Sequence, residues 1–192
     1  MTLGITGGTG CGKTTFLNCI EDLGGIVLDC DAIYHDLLRT DERLLRAIEA
    51  RFPGTVENGI LNRKKLGSIV FNDPAALQAL NAITHAAVKS AVEEILRQNP
   101  GKLTAIDAIG LFEGGLAQLC DLTVAVTAPE KDRIQRIMAR DNITEEYAAK
   151  RVHAQHGSDW FAQRCDYTLE NSSTPDAFRT QCLAFLHTLG IM

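Results

Sequence analysis

The sequence predicts an α/β fold, a five-stranded parallel sheet flanked by helices, and three observations carry that prediction. Short apolar runs at Leu3–Thr6, Ile26–Leu28, Leu103–Asp107 and Leu122–Thr127 are continuous, as in strands covered on both faces. Amphipathic stretches at helical spacing separate them. A glycine-rich stretch, Gly7-Gly8-Thr9-Gly10-Cys11-Gly12-Lys13-Thr14-Thr15, joins the first run to the first helical pattern and fits the phosphate-binding spacing G-x-x-x-x-G-K-[ST].

That stretch organises the rest. Glycines let consecutive backbone N–H groups turn inward toward a phosphate chain where a Cβ would block the approach. Gly10, Cys11, Gly12, Lys13, Thr14 and Thr15 are therefore the candidate nucleotide-binding residues. Lys13 brings a mobile positive charge, Thr14 a hydroxyl for Mg²⁺, and the helix beginning at Lys13 adds its positive N-terminal end. Phe16, Leu17 and Ile20 share one face of that helix, which closes at Gly24-Gly25.

Asp29-Cys30-Asp31 follows the second strand at its carboxyl end, the edge where open α/β sheets bind ligands, and this puts Asp31 near the nucleotide. Capping of the helix from Ala32 is the competing role for that aspartate. Helical patterns then cover 32–38 and 41–52, with Leu44, Leu45 and Ile48 on one face. Another begins near Gly59 and carries Leu66, Ile69, Val70 and Phe71, and two more span 74–82 and 86–97. Such a helical excursion exceeds the dozen or so residues of a simple crossover, so it reads as an acceptor-binding insertion. Asp107, at the tip of the third strand, is a candidate Mg²⁺ ligand beside a phosphate loop, or else a structural turn residue. His85 and Glu113 are candidates for the acceptor side, with a structural role for His85 as the alternative.

Arg133, Arg136 and Arg140 follow Pro129 at i, i+3 and i+7 of a predicted helix, so all three share a face suited to a polyphosphate; a solvated face is the alternative. A second helix from Thr144 to about His156 completes a hairpin suited to a lid. Tyr167–Glu170 is the fifth strand and 176–189 the closing helix.

At 192 residues the chain is long enough for one such domain with an insertion, and 45% apolar with 22% charged residues is ordinary for a globular protein. A net charge of −5 argues against a general nucleic-acid binder. The six cysteines show neither zinc nor redox spacing, which points to buried thiols in a reducing compartment. No apolar run approaches a membrane span and no signal peptide is read, so the expectation is a cytoplasmic monomer or small homo-oligomer without membrane or nucleic-acid partners.

The motifs along the whole chain resemble those of dephospho-coenzyme A kinases. The loop 4–15 is similar to the family's T-G-G-x-G-x-G-K-[ST], Asp29-Cys30-Asp31 to its D-A-D, and Asn62-Arg63-Lys64-Lys65-Leu66 to its N-R-x-x-L. Arg151-Val152-His153-Ala154-Gln155 resembles R-I-x-x-Q, and Arg164–Asn171 resembles R-A-D-x-x-I-x-N. Ala86 stands where the family has a proline after its histidine, and 107–113 keeps Asp107 and Glu113 while losing another proline. The resemblance implies a P-loop NTPase fold and ATP- and Mg²⁺-dependent phosphorylation of the 3′-hydroxyl of dephospho-coenzyme A. It further implies Asp31 as base, Lys13 and Arg140 as the other catalytic residues, Asp31, His85, Asp107 and Glu113 on the substrate, and Thr14 and Asp107 on the metal. A nucleoside or nucleotide kinase is the alternative, and a nucleotide-driven switch a weaker one, since no N-K-x-D stretch is present. The expected division is a core of 1–31, 101–128 and 165–192, an acceptor subdomain of 32–100 and a lid region of 129–164.

Overall fold

In the computed structural model, which describes residues 1–191, Leu3 to Thr6 of the first strand, β1 (Thr2–Thr6), are buried, as befits a strand covered on both faces. Beyond the glycine-rich loop, α1 (Lys13–Asp22) buries Phe16, Leu17, Cys19 and Ile20. Gly24 turns the chain at φ 78°, and β2 (Ile26–Asp29) follows.

Residues 29–100 with 112–116 form one compact unit. α2 (Cys30–Thr40) starts beneath Asp29, whose Oδ1 accepts from the N–H groups of Asp31 at 2.9 Å and Ala32 at 3.0 Å. Asp41 caps α3 (Glu42–Arg51) in the same manner. The helix expected from Gly59 starts later, because a small hairpin intervenes. β3 (Val56–Glu57) and β4 (Ile60–Leu61) pair antiparallel across Asn58-Gly59, whose φ values of 53° and 76° suit a type I′ turn. Glu49 secures the approach by accepting from Gly54 N at 2.5 Å and Val56 N at 2.7 Å, and these bonds hold its carboxyl below the usual range.

α4 (Arg63–Val70) is capped by Asn62 and buries Leu66 and Val70. Phe71, expected within the helix, is 80% exposed; it lies just past the last helical residue, and its ring folds back over Gly67. The two helices expected at 74–82 and 86–97 are one, α5 (Pro74–Gln98). Thr84 sits mid-helix with its hydroxyl donating back to the carbonyl of Leu80 at 3.0 Å. The unit's core joins Leu38, Leu44, Ile48, Phe52, Leu66, Val70, Ala76 and Leu80.

The remaining residues form the other compact unit, to which β1, α1 and β2 up to Leu28 also belong. β5 (Thr104–Asp107) is followed by a 3₁₀ turn at Leu116–Leu119, β6 (Leu122–Thr127), α6 (Glu130–Asp141), α7 (Glu145–His153), a short α8 (Ser158–Ala162), β7 (Tyr167–Glu170) and α9 (Pro175–Thr188). The five-stranded parallel sheet among the described residues has the order β2-β5-β1-β6-β7, with Leu3 level with Ala105 and Leu122, and Val124 with Tyr167. Strands from later in the chain flank β1 on both sides, so its carboxyl end opens a crevice at a topological switch point. Phe16, Ile20, Val124, Val126, Phe178 and Leu186 belong to the core, and Phe16 meets Phe185 edge-on at 5.9 Å. Asp166 fastens the start of β7 to β6 by accepting from Thr123 N at 2.7 Å and Thr123 Oγ1 at 2.8 Å.

Candidate active site

The loop between β1 and α1 owes its path to two glycines. Gly7 has φ 143°, and a Cβ there would stand 2.1 Å from the carbonyl oxygen of Val126. Gly12 has φ 96°, and a Cβ there would stand 2.2 Å from Asn171 Nδ2. Both positions therefore exclude larger residues by conformation and by space. Whereas Asp29, Asp41, Asn62 and Asp73 cap the helices after them, α1 has no side-chain cap and no acidic residue in its first turn. A helix start that no side chain caps leaves N–H groups for an anion. Lys13 Nζ donates to the Gly7 carbonyl at 3.0 Å and stands 4.0 Å from Asp107 Oδ1, so loop lysine and strand-tip carboxylate share one place.

A loop that aims its N–H groups at a ligand turns carbonyls the other way, and those carbonyls need donors. α6 and the turn after β7 supply them. Arg133 Nε donates to Thr9 O at 2.9 Å. Arg136 reaches the carbonyls of Gly10 at 3.4 Å and Cys11 at 3.5 Å, and its other nitrogen binds Asn171 O at 3.1 Å and Oδ1 at 3.3 Å. Asn171 Nδ2 donates to Cys11 O at 3.0 Å, and Gln155 Oε1 accepts the N–H of Thr9 at 2.8 Å. A cavity of about 510 Å³ adjoins this scaffold, lined by Gly12, Thr15, Asp132, Arg136, Asn171 and Pro175.

The three arginines that share a face in the sequence thus divide their work: Arg133 and Arg136 hold the loop, and Arg140 does not touch it. Arg140 is 59% exposed and grips Asp141 with two bonds, at 2.7 and 3.0 Å. Asp141, which helical spacing sets off the arginine stripe, also accepts from Arg151 at 2.5 Å. Those two guanidinium groups pull its carboxyl down to about 2.

Asp31 lies in the first turn of α2 and is exposed; the capping role that competed for it belongs to Asp29. It belongs with His85, half-buried on α5, and the exposed Glu113 to the unit of residues 29–100 and 112–116, while Lys13, Thr14, Asp107 and Arg140 belong to the other. Among the described residues no group of three or more His, Cys, Asp or Glu side chains is placed to hold a metal. Thr14 and Asp107 offer a hydroxyl and one carboxylate, hard oxygen donors of the kind Mg²⁺ takes together with phosphate oxygens and water. Cys11, Cys19, Cys30 and Cys182 are buried thiols, and burial pushes Cys182 up to about 12. Gln155 and Asn171 are the site residues that sequence reasoning gave no role. Their loop partners lie 146 and 160 positions away, and no local pattern reports such a bond.

A family model described as dephospho-CoA kinase matches residues 1–176. A dephospho-CoA kinase of Geobacillus kaustophilus is 36% identical over 191 residues, covering 97% of this chain and 95% of the relative. One from Moorella thermoacetica is 38% identical over 159 residues, covering 80% and 75%. Among solved structures, a dephospho-CoA kinase from Campylobacter jejuni superposes with a TM-score of 0.69 over 100% of this chain and 98% of that one; at 24% identity it speaks for the fold. No helix among the described residues is long and apolar enough to cross a membrane.

Proposed function

The chain belongs to the dephospho-CoA kinase family, and from that premise we propose how its residues move a phosphoryl group from ATP to dephospho-CoA. It is a kinase acting on an alcohol group, at the final step of coenzyme A synthesis. The observation that carries the residue roles is the glycine loop itself, with its carbonyls bound from behind and an uncapped helix at its end.

The β- and γ-phosphates of ATP lie against the N–H groups of Gly10 to Thr15, and the nucleoside takes the cavity beside Gly12 and Thr15. Lys13 exchanges the Gly7 carbonyl for phosphate oxygens. Thr14 and Asp107 would hold Mg²⁺, which would neutralise charge on the phosphates. Arg140, at the end of α6, exchanges Asp141 for the phosphoryl group in transfer, a step that its exposure permits. Asp31 accepts the proton of the 3′-hydroxyl as that oxygen bonds to the γ-phosphorus and the bond to the ADP oxygen breaks. His85 and Glu113 line the acceptor side. Residues 32–100 serve as the acceptor subdomain and 129–164 as the lid region, in a cytoplasmic monomer or small homo-oligomer. A nucleoside or nucleotide kinase would share the loop, but the named relatives run against that acceptor.

Asp31→Asn tests the base. The substitution spares the cap, which Asp29 provides. It is expected to lower kcat by about 10²–10⁴-fold, the range for general acid–base catalysis, with ATP affinity and melting temperature unchanged. Near-normal turnover by a folded variant eliminates Asp31 as the base.

A further inference from the structure

Arg133 carries a full charge where charges are rarely left. It is 4% exposed, and its NH2 nitrogen is buried without a hydrogen-bond partner. Its Nε is satisfied by Thr9 O at 2.9 Å. No ion pair joins it to a carboxylate among the described residues. The guanidinium lies close against the loop: a Cβ on Gly8 would stand 2.2 Å from NH2 and 2.8 Å from Cζ. The backbone of the same residue presses on Gly10, where a Cβ would meet its carbonyl oxygen at 2.6 Å. Two loop glycines are thus kept small by one arginine.

Binding Thr9 O does not explain this choice, because a neutral amide could donate that bond without the cost of burying a cation. What an uncharged donor lacks is a field. Through a thin glycine backbone in a poorly screened interior, a fixed positive charge acts on anions on the loop's other face.

We propose that Arg133 is an electrostatic positioning residue, a cation set behind the phosphate loop whose burial is offset by the polyphosphate bound in front of it. Resting on the nucleotide-binding reading above, the proposal adds that part of the positive charge felt by the phosphates comes from a side chain that never touches them. Arg136 is different in kind. It is half-buried, reaches Asn171 as well as the loop, and borders the cavity, so it stands where a ligand meets it directly.

Two variants separate field from shape. Arg133→Gln keeps a donor for Thr9 O and removes the charge; Arg133→Lys keeps the charge and loses the planar fork. ADP and AMP are titrated into each by calorimetry, and the ligand-free proteins are melted. The account expects Arg133→Gln to weaken ADP about tenfold and AMP distinctly less, since the loss scales with phosphate charge. It expects Arg133→Lys to stay within about threefold of wild type for both ligands, since the charge remains. The ligand-free melting temperature of Arg133→Gln should equal or exceed that of wild type, because an uncompensated buried cation has been removed. Equal losses for ADP and AMP, or a Lys variant as impaired as the Gln variant, would make Arg133 a shape-filling residue and overturn the proposal. A wild-type protein that binds neither nucleotide would instead strike at the kinase reading beneath it.

Discussion

Replacing Asn171 with alanine removes a side chain that touches both the glycine loop and its arginine support. Asn171 is 6% exposed, and its Nδ2 donates to Cys11 O at 3.0 Å while Oδ1 accepts from Arg136 at 3.3 Å. Alanine leaves the buried Cys11 carbonyl with only the long 3.5 Å contact from Arg136, and losing its short bond costs about 1–3 kcal/mol. For a chain of this size each kcal/mol moves the midpoint by about 2–4 °C, so a melting temperature lower by roughly 4–8 °C is the central expectation. Arg136 keeps the Asn171 carbonyl at 3.1 Å, so α6 stays docked and the damage concentrates in the loop. A loop displaced by a fraction of an ångström misplaces the phosphates, and kcat/KM for ATP should fall by up to about 10²-fold. Asn171→Asp is the informative companion. Its carboxylate repels the Cys11 carbonyl yet attracts Arg136, so it should recover stability without recovering activity. Differential scanning calorimetry and steady-state kinetics on the same preparations decide the matter. An alanine variant that melts within about 1 °C of wild type and turns over normally would show that the loop does not depend on this bond, the long Arg136 contact alone sufficing for the Cys11 carbonyl.

Arg140→Ala should lower kcat by about 10³-fold or more, as removing an arginine that acts on transferring phosphoryl groups does, while KM for ATP changes little; steady-state kinetics giving an unchanged kcat would return Arg140 to a surface ion pair. Lys13→Ala should cost about 10²–10³-fold in turnover with the melting temperature intact, because the lysine bonds to a loop carbonyl, Gly7 O, and its approach to Asp107 is a long 4.0 Å; a variant keeping a tenth of wild-type kcat would contradict this. Asp141 should make the stability of the α6–α7 pair depend on acid. Its folded carboxyl titrates near 2, below an unfolded value of about 3.9, so the ion pairs' contribution is complete above the unfolded value and fades as pH falls toward 2. The difference in melting temperature between wild type and Asp141→Asn should therefore be constant from pH 7 to about 5 and narrow progressively below about 4, and a difference that persists unchanged at low pH would refute the assignment.

What the sequence disclosed was whatever is written locally. The core strands stand out because two-sided burial leaves uninterrupted apolar runs, and the phosphate loop because its glycines and Lys13 have fixed spacing. β3 and β4 have two residues each, too few for any periodicity, although Asn58-Gly59 was a legible turn signal. The helix expected from near Gly59 begins only at Arg63, because 60–61 is paired in that hairpin, where Ile60 is 72% exposed. The break expected within α5 is absent: 83–85 carries neither Gly nor Pro, and Thr84 stays helical with its hydroxyl turned back to the Leu80 carbonyl. Around the site, helical spacing correctly put Arg133, Arg136 and Arg140 on one side of α6 but could not say what that side meets. The loop's carbonyls were the missing partner, and a glycine-rich motif reveals only its donors. Asn171 and Asp166 lay within the family-like stretch 164–171, yet their work, bonding Cys11 and Thr123, became visible only with the strands in register.

The most direct measurement is ADP release by the purified protein with ATP, Mg²⁺ and, side by side, dephospho-coenzyme A, adenosine and nucleoside monophosphates as acceptors. Release should depend on dephospho-coenzyme A, with a product bearing a new 3′-phosphate by mass and phosphorus resonance, and stay at background with the others. Turnover of a nucleoside or nucleotide in preference to dephospho-coenzyme A would contradict it.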